Sequence, residues 1–147
     1  MVAKVYLDLC ALKRPFDDQS QGRIWIETQA VIRILRAIDR NAVSGCNSAV
    51  LEDENVRNTN AARREKVARL LLRFGIQSRA TEGIFRRAEE VRSYGFKDVD
   101  ALHVAFAEAT GAEYFISCDD AILGFANDER VKVRIIDPVS FVEDSDI

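Results

Sequence analysis

The chain contains one histidine, His103. A nuclease that uses two histidines as acid and base cannot be built from it, nor can a zinc site rich in imidazole. Its three cysteines, Cys10, Cys46 and Cys118, show no metal-binding spacing, and an odd count argues against a disulfide framework. Each lies in or beside an apolar run, so reduced and mostly buried thiols are expected. Cys10 and Cys118 also fall within two residues of Asp8 and Asp119, where oxidation could disturb those carboxylates, although the buried-core reading is favoured. No run is long and apolar enough to span a bilayer. The N-terminus, Met1-Val2-Ala3-Lys4-Val5, enters a strand directly and lacks a signal-peptide layout, so a cytoplasmic protein without a membrane partner is expected. Positive charge is not in excess: 21 Lys and Arg stand against 24 Asp and Glu, for a net charge of −3. That balance gives no global attraction to nucleic acid.

The 147 residues are 48% hydrophobic and 31% charged, which suits one globular domain over residues 1–147 with a single core. Val2 to Leu7 reads as a buried first strand, and Pro15 with Phe16-Asp17-Asp18 as a loop. Val31, Ile34, Leu35 and Ile38 follow helical spacing within a helix from Arg23 to Arg40. A short strand is expected over Val43 to Cys46, weakened by Gly45. Ser48 is placed to cap a helix running to about Asn58, and Ala61 to Phe74 forms the next. Thr81 caps a helix through Tyr94, with Gly95 ending it. Asp98 caps a helix from Val99 to Thr110, with Gly111 at its end. Tyr114 to Ser117 is a strand, Ala121 to Asn127 a short helix, Val131 to Ile136 the last strand, and Pro138 starts a final turn. Strands alternating with helices imply an α/β fold: a parallel sheet of about four to five strands with helices on both faces.

Acidic residues recur where apolar runs begin or end. Asp8 closes Val5-Tyr6-Leu7, and Glu52, Asp53 and Glu54 follow Ser48-Ala49-Val50-Leu51. Asp98 and Asp100 open Ala101-Leu102-His103-Val104-Ala105, and Asp119-Asp120 close Tyr114-Phe115-Ile116-Ser117. In an open parallel sheet such strand ends and helix starts face one crevice. Carboxylates gathered there repel one another unless a cation or protons neutralise them. Clusters of oxygen ligands select magnesium, manganese or calcium, so a divalent-metal site is expected.

At these residues the chain resembles the PIN-domain ribonucleases, the fold of the VapC-like toxin half of many toxin–antitoxin pairs. The resemblance covers nearly the whole length. Val5-Tyr6-Leu7-Asp8 matches the strand that ends in the first family acid, and Asp100-Ala101-Leu102-His103 is similar to the family's Asp-Ala-x-His segment. Tyr114-Phe115-Ile116-Ser117-Cys118-Asp119 matches the strand closing on the last acid. The second acid falls among Glu52, Asp53 and Glu54, with Glu54 favoured and Glu52 as runner-up. Two positions depart from the pattern. Leu9-Cys10 stands where many members carry a small hydroxyl residue and then Asn, and Cys118 where a hydroxyl residue is common before the acid.

The resemblance implies a Mg²⁺- or Mn²⁺-dependent endoribonuclease. Asp8, Glu54, Asp100 and Asp119 would be both its catalytic residues and its metal ligands. A metal-activated water would cleave RNA to leave 5′-phosphate and 3′-hydroxyl ends. It also implies an antitoxin protein partner and a homodimer. The departures at Leu9-Cys10 and Cys118 motivate the alternative, a non-catalytic PIN-like module that binds RNA or protein. A receiver-like phosphoacceptor domain would need a lysine closing a late strand, and Lys97 instead precedes a helix.

Ordinary roles compete at each position. Asp8 could be a turn or cap residue, Asp98 can meet the helix-dipole demand that would otherwise fall on Asp100, and Asp120 can cap the helix after Asp119. His103 lies on roughly the same helix face as Asp100 but reads as a satisfied core or supporting histidine. Of the basic pairs, Arg63-Arg64 and Arg86-Arg87 read as solvated helix faces. Lys13 and Arg14 are the RNA-binding candidates, in a loop that borders the crevice. Trp25 is expected in the core or at a partner interface.

Overall fold

The computed structural model describes residues 2–147, apart from the side chains of residues 76–78. Strand β1 spans Ala3–Leu7, and Val5, Tyr6 and Leu7 are fully buried on both of its faces. A strand wrapped this way lies inside a parallel sheet. With β2 (Val43–Ser48), β3 (Ile76–Ser78), β4 (Tyr114–Ile116) and β5 (Arg134–Ile136) it forms a five-stranded sheet in the order β3-β2-β1-β4-β5. Every pairing is parallel, and Tyr6 stands opposite Cys46 on one side and Phe115 on the other.

The helices are α1 (Leu9–Lys13), α2 (Gly22–Asp39), α3 (Ala49–Val56), α4 (Ala61–Leu71), α5 (Glu82–Arg92), α6 (Asp98–Ala109), α7 (Asp120–Leu123) and α8 (Pro138–Ser145). From β1 the chain steps outward to β2 and β3, then returns across the sheet to β4 and β5. Right-handed crossovers running in opposite directions place their helices on opposite faces. Gly45 of β2 accordingly faces Ile38 of α2 and Phe74 after α4, whereas Tyr6, on the other face, reaches His103 of α6. The order reverses between β1 and β4, and the crevice beyond their C-terminal ends is the ligand position for such sheets.

Several local expectations are met: Ser48 and Thr81 accept from Leu51 and Ile84 N–H groups as helix caps. Gly95 and Gly111 take positive φ at the ends of their helices. Others are corrected. The stretch after Asp8 is not a loop, because Asp8 caps α1 and Arg14–Phe16 continues it as a 3-10 turn, with Pro15 tolerated in the first turn. Lys97, not Asp98, is the N-cap of α6. Asp119, not Asp120, caps α7. β2 runs two residues past Cys46, and the three-residue β3 was too short for any periodicity to announce it. Trp25 is half exposed on α2 rather than in the core. Arg87 is not a solvated residue: it pairs with Glu108 at 2.7 Å and so ties α5 to α6. No helix among the described residues is long and apolar enough to cross a membrane.

Candidate active-site crevice

Asp8 follows β1 directly, and its N–H donates to the Ile116 carbonyl of β4 at 3.1 Å. One carboxylate oxygen accepts the Ala11 N–H at 2.9 Å and the other the Ser117 hydroxyl at 2.6 Å. Only 4% of the residue is exposed. Burial drives its carboxyl up to about 6, against the two hydrogen bonds that favour the charged form. Asp8 is thus both the cap that one reading of the sequence allowed and a wall of the crevice.

Ser117 joins two acids. Its oxygen gives its hydrogen to Asp8 and accepts the Asp119 N–H at 3.0 Å. A hydroxyl that orients the Asp8 carboxylate is therefore present, one position before Cys118, where the sequence reading found it missing. Ser117 is fully buried. A lone polar residue at the end of an apolar strand, just ahead of an acid, was the signal for it. Asp119 gives one oxygen to the Ala121 N–H at 2.9 Å. Asp120 turns away to Arg23, at 2.7 Å.

Asp100 lies in the first turn of α6 and has no hydrogen-bond partner among the described residues. Burial, then the nearby charge of Asp119, holds its carboxyl above the ordinary range. Glu54, near the end of α3, lies 3.1 Å from His103 Nε2. Burial pushes Glu54 up, but the hydrogen bond from His103 and the charges of Lys13 and Arg57 outweigh it, leaving its carboxyl below the usual range. Glu52 instead accepts from Asn47 at 3.1 Å, and Asp53 pairs with Arg57. Of the three acids on α3, Glu54 alone lines the crevice.

Asp8, Glu54, Asp100 and Asp119 border one open crevice of about 470 Å³, together with His103 and Lys13. Arg14 also borders it, but its guanidinium is engaged by Glu27 at 3.0 Å and Asp17 at 3.2 Å. Lys13 sits in α1 and not in a loop. Cys10 and Cys118 are free thiols, and the neighbouring Cys10 together with burial holds the Cys118 thiol well above its ordinary range.

An all-oxygen donor set is suited to Mg²⁺ or Mn²⁺. Among the described residues no three His, Cys, Asp or Glu side chains converge tightly enough to cage an ion. Mg²⁺ usually keeps several waters and takes only one or two carboxylates, so the open arrangement fits it.

A family model described as the PIN domain matches residues 5–127. No curated protein matches the chain. Solved structures that share the fold at low identity include the following three. The chain is 16% identical to FitAcB from Neisseria gonorrhoeae, with a TM-score of 0.58 over 91% of this chain and 97% of that one. It is 15% identical to VapC20 of Mycobacterium tuberculosis, described as a toxin that cleaves the sarcin-ricin loop, with a TM-score of 0.58 over 88% and 98%. VapBC2 from Rickettsia felis, bound to a fragment of promoter DNA, is 10% identical, with a TM-score of 0.56 over 91% and 98%.

Proposed function

The chain belongs to the PIN domain family, and from that membership we propose that it is a metal-dependent endoribonuclease, the toxin of a toxin–antitoxin pair. The observation that carries the proposal is the meeting of four carboxylates from separate segments on one crevice, where burial and mutual repulsion raise Asp8 and Asp100. Asp8, Glu54, Asp100 and Asp119 would hold Mg²⁺ or Mn²⁺. Bound there, the ion would acidify water and neutralise charge on the phosphoryl oxygens.

The chain's own residues would do the positioning. Ser117 and the Ala11 N–H fix the Asp8 carboxylate, and the α7 cap fixes Asp119. Lys13 at the rim would meet an RNA phosphate, whereas Arg14, locked to Glu27 and Asp17, would brace the wall from which Lys13 projects. Cleavage would leave 5′-phosphate and 3′-hydroxyl ends. The similar fold of a toxin that cuts the sarcin-ricin loop supports RNA as the substrate, and VapBC2 supports a small partner protein. A homodimer is proposed on the family pattern.

The test is cleavage of structured and single-stranded RNAs with Mn²⁺, Mg²⁺ or EDTA, with Asp100→Asn alongside. Metal-dependent cutting, lost by at least 100-fold in the variant while its circular dichroism is unchanged, is expected. Full activity in the variant refutes the assignment. Inactivity of both proteins on a panel that includes the sarcin-ricin loop favours the non-catalytic binding module.

A further inference from the structure

A chain of hydrogen bonds runs through the core to Glu54. The Leu51 N–H donates to Ser48 Oγ at 3.2 Å, and Ser48 Oγ lies 2.7 Å from Tyr6 Oη. Tyr6 Oη lies 2.7 Å from His103 Nδ1, and His103 Nε2 lies 3.1 Å from Glu54 Oε1. Tyr6, Ser48 and His103 are each at most 2% exposed.

Counting hydrogens sets the direction of this chain. Ser48 Oγ already accepts from Leu51, and its own hydrogen has no acceptor but Tyr6 among the described residues. The single phenolic hydrogen of Tyr6 must then go to His103 Nδ1, which must be bare. The ring hydrogen therefore sits on Nε2, aimed at Glu54. On the footing that Glu54 is a metal ligand, we propose that His103 is a positioning residue. Tyr6 and Ser48 lock it as the Nε2–H tautomer, and it turns the Glu54 carboxylate into the crevice. Glu54 is one-third exposed, so without this donor it is free to swing into solvent. The same four residues tie β1, β2, α3 and α6 together, and these are the elements that carry or precede Asp8, Glu54 and Asp100. Buried polar chains of this kind are rigid when every member is satisfied.

His103 is the only histidine, so the imidazole ¹⁵N spectrum of the labelled protein reports one residue. It should show Nε2 protonated and Nδ1 bare, and Tyr6→Phe should weaken that preference. His103→Leu should bind Mn²⁺ about 10-fold to 100-fold more weakly, the range for lost supporting bonds to a ligand. His103→Gln, which restores an N–H toward Glu54, should recover most of the affinity. A protonated Nδ1, as the other tautomer or as imidazolium, overturns the proposal. So does an unchanged Mn²⁺ affinity in a folded His103→Leu, which would leave the nuclease reading standing. If that variant does not fold, an unchanged tautomer and Mn²⁺ affinity in Tyr6→Phe are decisive against it. A wild-type protein that binds no Mn²⁺ overturns the nuclease reading, and the positioning role with it.

Discussion

Asp8 is nearly inaccessible to water, and the surrounding core penalises its charged form. Its folded-state pKa of about 6 lies above the unfolded value of about 3.9. Between those values the folded chain binds more protons than the unfolded one, so stability from this group falls as pH rises through the window. The full penalty is present above about pH 6 and is roughly 2–3 kcal/mol. Asn keeps an acceptor for the Ala11 N–H and offers an amide to Ser117. Metal-free Asp8→Asn should therefore be more stable than wild type by about 2 kcal/mol near pH 7.5, with the gap closing toward pH 4. Urea melts at both pH values measure this, and a gap independent of pH would contradict it. Asp8, Asp100 and Asp119 were legible in the sequence because acids stand out at the ends of apolar runs. Ser117 carried only a faint signal, a lone polar residue between an apolar strand and an acid, and Tyr6 carried none, since a tyrosine in a buried strand looks like ordinary core until a partner more than 90 residues away is seen.

At the scale of elements, Gly45 explains how β2 is placed. A Cβ there would lie 2.8 Å from the Phe74 ring and 3.1 Å from Ile38, so the strand is held against α2 and the end of α4 by the absence of a side chain. The sequence made this glycine a weakness in the strand, whereas it permits the close approach. Because Ser48 ends β2 and caps α3, any shift of β2 moves Glu54. Gly45→Val should cost about 1–3 kcal/mol and weaken Mn²⁺ binding as well, read by thermal melts and Mn²⁺ titration. An unchanged melting temperature would show that Phe74 can yield freely. The long helices were legible from apolar spacing and caps. Helix α1 was hidden because Pro15 suggested a break where it continues a turn, and β3 because three residues carry no period.

Across the whole molecule, a net charge of −3 does not describe the surface that RNA would meet. Lys13 and Arg57 line the same crevice as the acids, a local arrangement a charge total cannot reveal. In an Asp100→Asn background that does not cut, Lys13→Ala should weaken RNA binding and reduce the magnitude of the log–log salt slope by about 1. Binding across a salt series measures this, and an unchanged slope would remove Lys13 from the RNA path. The parallel architecture itself was legible from alternating strands and helices, but the reversal of strand order between β1 and β4 shows only in the folded chain. That reversal brings Asp8 and Asp119, 111 positions apart by number, within reach of one serine hydroxyl.

The most direct measurement is anomalous diffraction at the manganese edge from crystals soaked in Mn²⁺, for wild type and Asp100→Asn. The proposed metal-dependent site predicts a manganese peak among Asp8, Glu54, Asp100 and Asp119 that is lost or much weakened in the variant. Manganese bound elsewhere on the protein, with none in the crevice, would contradict a metal-dependent site at these residues.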